Sequence, residues 1–239
     1  MRNFIGTRRI LPAALAVGAL LVVALVAVPL LAIHRSHTGA HSMPASPSPT
    51  TSPVPVQSGA VTLVQGARLA DGIEVGYPHT ILGAISAASD YLDAVASTLD
   101  PDYAASVMRV AGDPADATLP ANLAASTVTL RADLQLPSGG PLDPPIAFQT
   151  IAEMYQLRDA TANDALVLLL TDSTFVNAHG GMAQTTGVFP VRMHWTAGDW
   201  KLASIGGGQN YAGLDATPDT QVAAGQGWLA LVAATGGAS

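Results

Sequence analysis

Cysteine is absent from the 239 residues, so no disulfide, thiolate metal site, thiol nucleophile or lipid-modified cysteine can occur. Charge is scarce as well: only 11% of residues are charged, with one lysine and two glutamates in the whole chain. The formal net charge is -7, which argues against a phosphate-binding surface and against nucleic acid as a partner. Aromatics make up 5%. No His-Glu-x-x-His, Gly-x-Ser-x-Gly or calcium-loop motif occurs. Gly206-Gly-Gly lacks the Lys-Ser/Thr that would complete a phosphate loop. No cofactor and no metal site is therefore expected.

What is abundant is apolar and unevenly placed. Ile10 to Ile33 runs without a charge, after Arg2, Arg8 and Arg9. About 20 such residues cross a bilayer core as a helix, and preceding arginines hold the N-terminus in the cytoplasm. The reading is a signal anchor over 10–33, a cytoplasmic segment over 1–9, and everything beyond exported at the cell membrane, with the lipid bilayer as first partner. A cleaved signal peptide is the alternative, and the apolar run is longer than its usual core. The part after Arg35 carries six basic and seventeen acidic residues.

Residues 34–59 read as a disordered linker, with five prolines among Ser and Thr and no apolar period. Proline at that density favours an extended tether. His34, His37 and His41 fall here, and on a flexible tether they read as solvated side chains.

Residues 60–239 read as one α+β domain, with Val61-Thr-Leu-Val as a short opening strand. Ile81, Ile85, Ala88, Leu92, Val95 and Leu99 form one helical stripe, with Thr80 as N-cap. Asp90 and Asp93 lie off that stripe and read as solvated charges. Asp100-Pro101 starts a second helix, and an alanine-rich third is expected over about 119–136. After the proline and glycine breaks at 137–145 the pattern becomes strand-like: 146–157, then Leu166-Val-Leu-Leu-Leu-Thr apolar on both faces like a central strand, then Val188 to Trp195. Ala197-Gly-Asp turns into Trp200 to Ile205. A last short helix is expected over 219–234, docked by Trp228, and Trp195 and Trp200 are expected to cover one end of the core. Helices first and a curved antiparallel sheet afterwards is the predicted architecture.

Two motifs carry a resemblance. Val191-Arg-Met-His-Trp-Thr-Ala-Gly-Asp-Trp-Lys-Leu resembles the final hairpin of the nuclear-transport-factor-2-like (cystatin-like) cone. Gly76-Tyr-Pro-His-Thr before an alanine-rich helix is similar to single-pass actinobacterial membrane proteins of that fold, some found with conjugative-element genes. The resemblance implies a helices-first cone, and a role like that of conjugation or type IV secretion accessory proteins, which oligomerise and work through domain surfaces.

Such a cone can hold a pocket between sheet and helices. The candidate pocket residues are Glu153, Tyr155 and His194, with Asp172 near a strand end. Strand parity puts Glu153 on one face with Ile151, Tyr155 and Leu157, where a carboxylate would have a raised pKa. Arg158 or Arg192 could equally pair with it. Three functional classes follow. The favoured one is a non-enzymatic scaffold or assembly protein whose partners are other membrane or cell-envelope proteins or a second copy of itself. The second is a small-ligand module with a pocket walled by residues such as Phe148, Met154 and Leu168. The third is a cyclase- or isomerase-type enzyme pairing Glu153 with His194.

Overall fold

The computed structural model describes residues 59–206 and 209–234. The anchor expected over 10–33 and nearly all of the linker lie outside the described residues. Among the described residues no helix is long and apolar enough to cross a membrane.

The domain is built on a six-stranded sheet, with the long first helix packed on one face and a short C-terminal helix on the other. Three short strands come first: β1 (Val61–Thr62), β2 (Arg68–Ala70) and β3 (Ile73–Val75). Three helices follow, α1 (Ile81–Ala96), α2 (Pro101–Ala111) and α3 (Leu119–Asp133). Then come the long strands β4 (Ala147–Ala160), β5 (Asp164–Val176), β6 (Met182–Thr196) and β7 (Asp199–Ile205). A 3₁₀ turn at Ala212–Leu214, α4 (Gln221–Gly225) and β8 (Leu229–Val232) close the chain. Sheet order is β1-β8-β4-β5-β6-β7, and β2–β3 is a separate hairpin.

This corrects the expected helices-first cone. Strands begin before the first helix, and β1 belongs to the main sheet, where it pairs with β8 in parallel. The sheet is therefore mixed rather than antiparallel throughout. The expected C-terminal helix also divides: Thr220 caps a short α4, a positive φ of 87° at Gly227 turns the chain, and residues 229–232 join the sheet. Trp228 accordingly docks a turn, its indole donating to the Leu214 carbonyl at 2.9 Å.

The helix starts follow from local chemistry. The Thr80 hydroxyl accepts from the Gly83 amide at 3.0 Å, and the Asp100 carboxylate accepts from the amides of Asp102 and Tyr103. All six stripe residues of α1 through Leu99 are buried. The five within α1 meet Tyr155, Val167, Leu169, Val191, Met193, Trp200 and Leu202 of the sheet. The opposite face of β5 is buried too, with Leu168 and Leu170 under Trp228 and Ala223. Two buried faces explain the uninterrupted apolar run of this strand. A third cluster joins Leu99, Leu130 and Phe175 at the far end.

The two recognisable motifs bind each other. The Tyr77 amide donates to the buried Asp199 carboxylate at 3.0 Å, and the Trp200 indole donates to the Pro78 carbonyl at 3.0 Å. The His79 ring stacks on Trp195 with centroids 4.0 Å apart. Ala197 and Gly198 both have positive φ, the primed turn that suits the twist of a hairpin. At Gly83 a side chain is impossible, because its β-carbon would lie 2.0 Å from the Pro78 carbonyl oxygen.

Arg131 is fixed by another device. The side chain is buried and donates to the carbonyls of Leu99, Pro137, Gly139 and Gly140, so α3 straps down the loop that leads into β4.

Replacing Asp199 by alanine leaves the Tyr77 and Trp200 amides without their shared acceptor and Lys201 without its ion pair. We expect Asp199→Ala to cost about 3 kcal/mol of stability. Urea denaturation of the domain measures it, and a loss within ~0.5 kcal/mol of zero would refute the assignment.

Candidate functional site

The centre of the layer between α1 and the sheet is filled. Tyr91, Leu92, Ile85, Tyr155, Leu169 and Trp200 are all fully buried there. Tyr155 is part of this packing, with burial raising its pKa, and its hydroxyl donates to the Gly59 carbonyl at 3.0 Å. Tyr155 is a core residue at this position.

Glu153 and His194 do not come together. His194 pairs across the sheet with Asp164 at the start of β5, whereas the residues flanking Glu153 pair with Leu170 and Thr171. Six positions of strand separate them, about 20 Å. The His194 Nδ1 lies 2.8 Å from the Asp113 carboxylate. Burial raises the pKa of Asp113, but the Ala115 amide and His194 together outweigh it, and the carboxyl stays below its usual range. This contact fastens the α2–α3 loop to β6. Phe148 likewise belongs to a different cluster from Met154 and Leu168, so the three do not wall one pocket. Asp172 sits inside the long β5, opposite Ile151 and Thr186, and not at a strand end.

Strand parity fails at Glu153 because β4 carries a bulge between Ala152 and Met154. An extra residue turns the following side chains to the other face. Tyr155 therefore faces α1, while Ile151 is 41% exposed. Glu153 itself points to the rim of a cavity of about 360 Å³ between α1, the β4 bulge and the end of β8. Its carboxyl is raised by burial, then by Asp219 and Asp172. Among the described residues neither Arg158 nor Arg192 pairs with it; the ion pair is Lys201–Asp199, and His194 and Asp113 are joined by a hydrogen bond.

Three further carboxylates line this cavity: Glu74, Asp90 and Asp93. No cation is among its lining residues. Asp93 accepts the Ala152 amide at 2.9 Å, a donor on the edge of β4 that β8 does not reach. Burial, with Asp90 and Glu153 adding repulsion, pushes Asp93 up to about 7 against the pull of that amide. The Tyr77 hydroxyl donates to Asp90, whose own carboxyl is raised by burial, an effect the tyrosine bond opposes and Glu74 adds to. Asp90 and Asp93 are thus not solvated charges. Tyr77 lies in the loop before α1 and the Ala152 amide on a strand edge remote in sequence, and helix periodicity alone cannot report either. Among the described residues no group of three is arranged to hold a metal ion. What the cavity can do chemically is hold a proton near neutral pH.

Comparison with known proteins adds a family. A family model described as "Domain of unknown function (DUF8175)" matches residues 39–230. The chain belongs to this family. No curated protein matches the family member described here. Among solved structures it is similar to the "Putative calcium/calmodulin dependent protein kinase II association domain from Xanthomonas campestris", at 10% identity and a TM-score of 0.38. That match covers 59% of this chain and 91% of the other, a likeness too slight to assign a fold or an activity.

The raised carboxyls fix a sign for pH dependence. A carboxyl whose folded pKa exceeds its unfolded value binds more protons when folded, so stability falls as pH rises between the two values. For Asp93 that window runs from the ordinary carboxylate range, about 4, up to about 7. The domain should therefore melt at a higher temperature at pH 5 than at pH 8. Asp93→Asn keeps an acceptor for Ala152 and should raise the pH 8 melting temperature and flatten the profile. An unchanged profile in the variant refutes the assignment.

Proposed function

We propose that this chain is a membrane-anchored, extracytoplasmic, non-enzymatic scaffold that presents its α+β domain to other envelope proteins. The observation that carries the reading is the packed centre of the layer between α1 and the sheet, where Tyr91, Leu92, Tyr155 and Trp200 are fully buried and leave the remaining cavity at its margin. The separation of Glu153 from His194 removes the acid–base pair that an isomerase-type enzyme would use. Anchoring rests on the uncharged run from Ile10 to Ile33 and the arginines before it. The Pro-rich segment 34–59 gives the domain reach away from the bilayer. The composition of the exported part, acidic overall, favours basic partner surfaces. Assembly roles in conjugative or secretion machinery have this form, with a second copy of the chain as the alternative partner.

The experiment is membrane fractionation with protease protection on intact cells, followed by crosslinking of the full chain. The expected result is a membrane-bound protein whose domain is cut from outside, with discrete protein adducts. A protein found free of the membrane, or one that yields no adduct with itself or any other protein, overturns the proposal.

A further inference from the structure

The outer face of the sheet carries a second feature, away from α1. A groove of about 600 Å³ is bounded by Arg158, Asp159 and Leu166 on the sheet and by Gln209, Asn210, Tyr211, Gly213 and Leu214 of the covering loop. That volume lies within the usual range of ligand pockets, about 300–1,000 Å³. A second bulge, between Leu157 and Asp159, creates its polar wall. In regular alternation Arg158 and Asp159 would point to opposite faces. The bulge lets two successive side chains reach the same groove.

The lining has a definite chemistry. Five of the eight residues are Arg158, Asp159, Gln209, Asn210 and Tyr211. Guanidinium, carboxylate and the two amides are planar groups that meet adjacent hydroxyls two at a time, as donors, acceptors or both. Tyr211 packs on the outer-face cluster and so is held in place, offering ring surface to an aliphatic C–H face. The Asn210 side-chain oxygen is already taken by the Ala212 amide, which orients its NH₂ as a donor. Among the described residues Arg158 makes no ion pair, so its donors are uncommitted. One cation and one anion side by side leave the wall without net charge. Such a surface suits a polar ligand that is uncharged.

We propose that this groove binds a neutral saccharide through vicinal hydroxyls, with Tyr211 against the sugar ring and Arg158, Asp159 and the two amides on its hydroxyls. The site is independent of the scaffold reading, because it lies on the opposite face from the packed α1 layer.

Isothermal titration calorimetry on the full chain in detergent tests it, with chitotriose and maltotriose as neutral probes, trigalacturonate as the acidic counterpart and inorganic phosphate as the simple anion. Saturable binding of a neutral probe is expected. Tyr211→Ala and Asp159→Asn should each weaken it about tenfold. Gln209→Ala, at an exposed position, should weaken it without lowering the melting temperature and so separates lost contact from lost folding. Binding of trigalacturonate or phosphate alone would make the groove an anion site and overturn the proposal. No binding of either neutral probe at millimolar concentration, or binding unaffected by all three substitutions, would overturn it equally.

Discussion

One buried carboxylate ties the start of the helical layer to the last hairpin of the sheet. Asp199 accepts the Tyr77 amide from one segment and the Trp200 amide from the other, with Lys201 as its ion pair. Around it the Pro78 carbonyl takes the Trp200 indole and His79 lies on Trp195. These contacts set where α1 begins and therefore which of its faces meets the sheet. The filled interior is a consequence: once α1 is placed, Tyr91, Leu92 and Ile85 occupy the space against Tyr155 and Leu169. With that space occupied, polar chemistry is displaced to the margins, to the carboxylates at the β4 bulge and the groove on the outer face.

Much of this architecture is legible from the residues. The α1 stripe, the caps at Thr80 and Asp100, the both-faces-buried β5 and the turn at Ala197-Gly198 all rest on local patterns, and local patterns persist in the fold. The order of elements is not local. Val61-Thr62 finds its partner at Leu231-Val232, some 170 positions away, and no periodicity signals that pairing. The strands also extend beyond their apolar stretches. β5 and β6 continue through Asp172-Ser173-Thr174 and Gln184-Thr185-Thr186, polar residues that pair with one another. Ladder hydrogen bonds and β-branched side chains sustain those polar positions, with Phe175 as the buried apolar anchor beyond them.

The candidate sites were harder to read for a related reason. Strand parity assumes an uninterrupted ladder, and β4 has two bulges. One takes Glu153 away from the face of Tyr155, and the other puts Arg158 and Asp159 on one side. Bulges concentrate where strands change direction, so the residues with chemical interest are those for which alternation is least informative. Asp93 shows the same limit on a helix. Its position off the apolar stripe is correct, yet the surface it meets is the edge of a strand and not water.

That edge has a consequence for how crowded copies of the chain behave. Where β8 no longer covers β4, the Thr150 amide donates to the Ser97 hydroxyl and the Ala152 amide to Asp93, so helix side chains occupy the bonding positions another strand would seek. Open strand edges invite stacking into aggregates, and covering them is the usual defence. Asp93 of α1 and Ser97 at its C-terminal cap provide that cover here, and it disfavours pairing along this part of β4 between copies held side by side.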